Sequence, residues 1–466
     1  MLSNMCIRKF CVFALAMFVA LAALGGCDDD EGGNGVGGPP LGGGTPGAIP
    51  QKILNLRPLR GMDYSPSPSD FAANCFDPSS CKYFDSDFAN NDFKGLWSSE
   101  NPGGTGAGRA DVESMAMNLN VNFIRLYDWS ALTFRHHTNF LNEAKTHGIK
   151  VAVPISNFTL QCIRGDQSCK DCCGDPMTFA KNNIKNILGE LITNGNPHEA
   201  IAMWTIGNEF ELNGFHPDVV ATAIQFLIEA EEELGVTDEA NKLPITVPIS
   251  FAGAFCCTDD SKNIDTCKLP LAACNLMINN CGQVAGAPFL TCVKFDPGEL
   301  QLKVLLDAIS KNRQASQILN SRFLASLQTF NDDVFLKTFL EETFPQKFPD
   351  LALVITELGI DTAGSGGTEE TQAEFVKKQF DLCKSLIAEP PPTTNPNGYF
   401  LGCTYFEWLN SVHKGGTEAT FGANKFGGML GTGETVGVPT SGPQAYPIDE
   451  LVEKPVFSSI MEGFMN

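Results

Sequence analysis

Two glutamates are placed where a pair of carboxyl groups could act together. Glu209 lies in residues 204–210 (WTIGNEF), an apolar run passing into a polar turn, and follows Asn208 directly. Glu357 lies in residues 353–359 (LVITELG), at the end of a second apolar run. If both runs are strands of one closed sheet, their ends meet at a shared rim, and residues far apart in sequence face one cavity. Two carboxyl groups across a cleft can divide labour on an acetal: one, kept protonated, donates to the leaving oxygen while the other attacks the anomeric carbon. Burial and like-charge repulsion are what would separate their protonation states.

The elements needed to bring them together are legible. From residue 50 onward, short apolar runs alternate with amphipathic helical stretches. Strands are predicted at 59–64, 121–128, 149–156, 200–207, 244–250, 322–328, 351–356 and 398–407. Helices are predicted at 110–118, 140–147, 176–193, 217–234, 332–344 and 369–388. Eight strands separated by helices is the count of a (β/α)8 TIM barrel in the α/β class. An open doubly wound sheet, the competing arrangement, would be expected to carry a glycine-rich phosphate turn after its first strand, and the segment from Tyr64 (YSPSP) is not one. The fifth-to-sixth strand spacing is much longer than a bare repeat and holds Cys256, Cys257, Cys267, Cys274, Cys281 and Cys292. A Cys-rich insertion there falls on the C-terminal face, where it would shape a cleft.

Five segments, in order, resemble the retaining (β/α)8 glycosidases. They are residues 60–66 (RGMDYSP), 122–127 (NFIRLY), 206–210 (IGNEF), 355–359 (ITELG) and 402–408 (GCTYFEW). Within that superfamily the chain is most similar to plant-type β-1,3-glucanases and fungal β-1,3-glucanosyltransferases. The resemblance implies Glu209 as general acid/base, Glu357 as nucleophile and Asn208 as the contact to the sugar 2-hydroxyl. It implies Asp63, Tyr64 and Tyr127 along the non-reducing-side subsites, and Arg125 hydrogen-bonded near Glu357. Glu407 and Trp408 would form the cleft floor, with Glu407 the one facing inward, and Asn157 would be a cleft contact after the third strand. The fungal enzymes end the sixth strand with a Tyr against the nucleophile. Here Gln328 or Phe330 takes that place, which leaves transfer, as opposed to hydrolysis, less supported. The implied substrate is a β-glucan, β-1,3-linked, turned over without cofactor or metal. A glycan-binding or cell-envelope structural protein on the same barrel, or a β-1,4-glucanase or mannanase specificity, are the competing readings.

The N-terminus reads as an export signal over residues 1–26. Arg8 and Lys9 precede an apolar run from Cys11 to Leu24 that is too short to span a bilayer. Residues 24–27 (LGGC) resemble the lipobox of bacterial lipoproteins, which makes Cys27 the lipidated residue. Residues 27–49, acidic then Gly-rich, form a flexible tether, and residues 50–466 form the catalytic barrel domain. The expected location is therefore outside the cytoplasm, lipid-anchored to a bacterial membrane on its periplasmic or cell-surface side. Cysteine use agrees with export: of 17 Cys, those in the signal and Cys27 leave fourteen, an even number suited to disulfides in an oxidising compartment. Cys383 and Cys403 are a candidate long-range pair. A zinc site at Cys169 and Cys172 is a weaker reading of the same residues. With 54 acidic against 32 basic residues and a formal charge of −22, the chain lacks the cationic surface a nucleic-acid partner requires.

Overall fold

The computed structural model describes residues 48–71, 86–131, 135–251, 255–258, 291–294, 299–364, 367–388, 390–395, 397–430, 435–438 and 445–465. The predicted signal, lipobox and tether therefore lie outside the described residues, as does most of the six-Cys insertion. That insertion begins with a strand, Phe255–Thr258, paired antiparallel with Thr291–Lys294.

Eight parallel strands close into a barrel. They are β1 (Leu59–Asp63), β2 (Phe123–Arg125), β3 (Lys150–Ile155), β4 (Ile201–Ile206), β5 (Ile245–Ser250), β6 (Phe323–Thr329), β7 (Leu353–Leu358) and β8 (Phe400–Tyr405). Consecutive strands are neighbours, and β8 closes the ring on β1 through Leu59 opposite Gly402. All six residues of β4, β5, β7 and β8 are buried. That is why they read as continuous apolar runs rather than alternating ones: helices cover one face and the barrel interior takes the other.

The helices follow from local signals. Among them are α1 (Asp111–Leu119), α2 (Thr138–Thr146), α3 (Asn157–Arg164), α4 (Pro176–Leu191), α5 (Pro217–Glu233), α6 (Glu299–Lys311), α7 (Asp333–Thr338), α8 (Glu369–Ile387) and α9 (Pro455–Phe464). α4 begins with Asp175 capping the Thr178 amide and Pro176 in its first turn, where a missing N–H costs nothing. α8 begins with a Thr368/Thr371 capping box. α5 turns Val220, Ile224, Leu227 and Glu231 inward, the spacing of one helical face. The charge of Glu231 is met by Arg322 at the start of β6, at 2.6 Å. None of the described helices is long and apolar enough to cross a membrane.

Several elements were not anticipated. α3, α6 and α9 were not among the predicted helices. α9 packs on α8 through Phe380 and Phe464, whose rings meet edge to face at 4.8 Å. After β8 the chain also pairs β9 (Asn424–Met429) antiparallel with β10 (Asp449–Glu453). The Cys383–Cys403 disulfide forms, tying α8 to β8. Cys169 is bonded to Cys162, which removes it from any metal pair with Cys172.

Candidate active site

The rim is organised around one buried guanidinium. Asp63 and Arg125 are the last residues of β1 and β2 and lie opposite each other in register. Arg125 is 1% exposed, a position a cation tolerates only when its donors are matched. Its Nη1 donates to Glu357 Oε1 at 2.6 Å, to the Tyr127 hydroxyl at 3.1 Å and to the Thr356 carbonyl at 3.1 Å; the hydroxyl bond runs within β2's own end. Nη1 also lies 3.4 Å from Asp63, and Nη2 donates to Asn208 Oδ1. Burial would lower the guanidinium pKa, but Tyr127, Asp63 and Glu357 outweigh it and raise it.

Glu357 is held by three donors on a single oxygen. Arg125 is the first; the Tyr127 hydroxyl and Gln328 Nε2 donate to the same Oε1 at 2.7 Å each. Gln328 reaches it because the β6–β7 register shifts between Leu327 and Gln328, which sets Gln328 opposite Glu357, a common use of a bulge beside a site. The same Nε2 also donates to Asn208 Oδ1. The carboxamide oxygen of Asn208 is thus taken by Arg125 and Gln328, and this leaves its Nδ2 as the group available to a ligand.

Glu209 lies on the turn leaving β4 and adopts a left-handed backbone, φ 46°, which costs a non-glycine residue roughly 1–2 kcal/mol. The turn is fixed from several sides. The Asn157 side chain clamps the Asn208 peptide, accepting from its N–H at 2.8 Å and donating to its carbonyl at 2.9 Å. The Glu209 N–H donates to the Pro248 carbonyl of β5 at 3.0 Å. Asn213 Nδ2 donates to the carbonyls of both Asn208 and Glu209. Gly207, φ 65°, is required here, since a Cβ would come within 2.6 Å of Leu160. The Glu209 carboxyl oxygens receive no hydrogen bond from the described residues. Its pKa is held well above the usual carboxylate range by burial first, then by the charges of Glu357 and Glu211, with Arg125 opposing.

The β8 side adds charged groups. Glu407 is buried, and its pKa is pushed up to about 7, chiefly by burial, against the pull of Lys414. The Lys414 ammonium lies 3.9 Å from both Glu407 and Glu418 and 4.9 Å from the centre of the Phe406 ring. Phe406 packs edge-on to Phe421, and Phe330, 41% exposed, leans on Phe421 at 5.2 Å.

The structure therefore brings Asn208, Glu209, Arg125, Tyr127, Glu357 and Glu407 to one rim and moves four expected contacts elsewhere. Tyr64 points outward: its hydroxyl donates to Asp111 at the start of α1 and its ring stacks on Phe140 of α2. Trp408 is 2% exposed and packs against Phe457 of α9. β8 has ended at Tyr405, so the residue after Glu407 leaves the rim for the core and offers no sugar platform. Asp63 is fully buried and faces Arg125; burial raises its pKa well above the usual range, against Arg125. It supports the guanidinium and lines no subsite. Asn157 spends its carboxamide on the Asn208 backbone and does not reach out as a cleft contact. Sequence reading missed Lys414, Glu418 and Glu211, and Gln328 was named only as a departure. Its position at the end of β6 was the available signal.

No protein-family model matches the sequence, and no curated protein matches it. Among solved structures, the chain is similar to a glycoside hydrolase family 17 β-1,3-glucanosyltransferase from Rhizomucor miehei, at 14% identity over 79% of this chain and 93% of that one, TM-score 0.39. It is similar to β-glucuronidase 2 of Bacteroides uniformis, at 11% identity over 79% of this chain and 33% of that one, TM-score 0.42. A glycoside hydrolase family 2 β-galacturonidase from Eisenbergiella tayi is similar at 10% identity over 88% of this chain and 51% of that one, TM-score 0.41. The chain thus spans about a third and about half the length of the last two.

Proposed function

We propose that the protein is a retaining glycosidase or transglycosylase acting on a β-glucan, β-1,3-linked, by double displacement. The observation that carries the reading is the asymmetry of the two carboxyl groups. Glu209 is buried, accepts no hydrogen bond on its carboxyl group from the described residues and is biased toward its protonated form, whereas Glu357 accepts three hydrogen bonds on Oε1, one of them from a guanidinium. In the first step Glu357 Oε2, free of those three donors, attacks the anomeric carbon as the glycosidic bond breaks. Glu209 gives its proton to the departing oxygen. In the second step Glu209, now a carboxylate, takes a proton from water or from a sugar hydroxyl. That oxygen then displaces Glu357 and restores the starting state. Asn208 Nδ2 donates to the sugar 2-hydroxyl, a contact that strengthens as positive charge develops on the ring.

The formal charge of −22 on the chain favours a neutral sugar over the uronides named for the bacterial neighbours. An exported, lipid-anchored enzyme would meet such a polymer directly, with Cys27 as the anchor. Globomycin sensitivity of processing and loss of the lipid in a Cys27→Ser variant test that part.

For the chemistry, Glu357→Gln should abolish product formation from laminarin-type glucans. Azide should rescue Glu357→Ala as a glycosyl azide. Equal behaviour of wild type and both variants across a glycan panel refutes catalysis, and glycan binding without product would make the protein a lectin. Products longer than a defined laminari-oligosaccharide input would establish transfer, and cleavage of β-1,4-glucan or mannan instead would overturn the linkage.

A further inference from the structure

The mechanism above does not use every buried carboxyl near the site. Glu211 is two residues beyond the acid and 3% exposed. Its Oε1 accepts the Ser250 N–H at the end of β5, and Oε2 meets no well-formed donor among the described residues. We propose that Glu211 is the positioning residue of Glu209: wedged between the β4 turn and the end of β5, it anchors the left-handed turn and places a second carboxyl against the acid. This inference deepens the proposed reading and rests on it.

The geometry gives the wedge its purpose. The turn is tied to β5 at two points only a turn apart, the Glu209 N–H on the Pro248 carbonyl and the Glu211 side chain on the Ser250 N–H. Beyond Ile206 the β4–β5 ladder has ended, so Glu211 supplies the acceptor that a continuing strand would have provided. Gly214 N–H returns to the Glu211 carbonyl and Phe215 N–H to that of Phe210, closing the turn on itself. A turn held at both ends fixes the direction in which the intervening Glu209 side chain points, which a left-handed non-glycine residue would not maintain unaided.

The wedge also has an electrostatic consequence. Burial pushes Glu211 up to about 8, its own and the Ser250 amide pulling the other way. The charged groups acting on Glu209 are Glu357 from β7, Glu211 from its own turn, Arg125 from β2 and Glu418 from the loop after β8. Where Glu211 is ionised, its charge opposes loss of the Glu209 proton. Activity that depends on a protonated Glu209 then extends to higher pH than the acid alone would allow.

The test is Glu211→Gln, which keeps the acceptor for Ser250 and removes the charge. The alkaline limb of kcat/KM on laminari-oligosaccharides should move to lower pH by about half a unit or more, with the acidic limb in place. Glu211→Leu removes the anchor as well and should lower kcat at every pH, with Glu211→Gln restoring most of it. An unmoved alkaline limb in Glu211→Gln, or equal kcat in the Leu and Gln variants, overturns the proposal. Carboxyl NMR of isotope-labelled Glu209 gives a readout without turnover. If the protein cleaves no glycan yet the Glu209 midpoint falls in Glu211→Gln, the coupling stands and the enzymatic reading fails. An unmoved midpoint sinks the coupling whether or not there is turnover.

Discussion

Replacing Tyr127 with Phe isolates one of the three donors that hold Glu357. The hydroxyl lies 2.7 Å from Oε1 and accepts from Arg125 at 3.1 Å. The ring underlies the guanidinium, 4.5 Å from its centroid, and Phe preserves that stacking, so Arg125 should stay in place. What is lost is one hydrogen bond to a charged acceptor, worth about 1.5–3 kcal/mol. At 1.4 kcal/mol per decade that is a fall of about 10- to 100-fold in kcat/KM if the bond orients the attacking carboxylate. Arg125 and Gln328 still hold Oε1, so activity should not disappear as it does in Glu357→Gln. The folded state should lose no more than that bond is worth, because Tyr127 is half-buried and Phe keeps its packing volume. Initial rates on laminari-oligosaccharides, with thermal melts on the same samples, decide it. A variant within twofold of wild type would mean the hydroxyl does not orient the nucleophile. A loss as complete as that of Glu357→Gln would mean the triple grip is wrongly apportioned.

Glu209→Ala should cost about 10²- to 10⁴-fold on glucans yet spare aryl glucosides whose leaving group needs no proton, and the alkaline limb set by the acid should vanish; equal losses on both substrates would argue against an acid role. Removing the Cys383–Cys403 bridge, which closes a separation of 20 residues, should destabilise the fold by about 3 kcal/mol in denaturant titrations without altering kcat. His137 is buried between Asp87 at 2.8 Å and Glu190 at 3.1 Å. Burial works against its charge, but the two carboxyl groups raise its pKa to about 9. Since the folded pKa lies above the unfolded one, the stabilisation is complete below about pH 6.5 and is lost as pH rises to about 9, amounting to roughly 3 kcal/mol. A His137→Gln variant should show a flatter stability profile over that range, and an identical slope would refute the assignment.

The eight strands and the two glutamates were readable from the sequence, because both depend on information that is local along the chain. A strand buried on both faces must be apolar throughout, so β3, β4, β5 and β7 announce themselves; helices such as α4 and α5 carry their own Pro and capping signals. A glutamate ending such a run stands out against it. The disulfide partner of Cys383 was also within reach, since only Cys403 remained outside the local cysteine groups. What the tertiary structure decided is where the remaining rim side chains spend their contacts. Tyr64 and Trp408 sit one residue beyond Asp63 and Glu407, and a single step along an extended chain reverses the side of the sheet a side chain occupies. Tyr64 therefore serves α1, and Trp408 serves α9. Gln328 faces Glu357 through a register shift that only strand pairing creates. The elevated proton affinity of Glu209 comes from burial and from carboxyl groups on β7 and its own turn, against the pull of Arg125 on β2, all brought together only when the barrel closes.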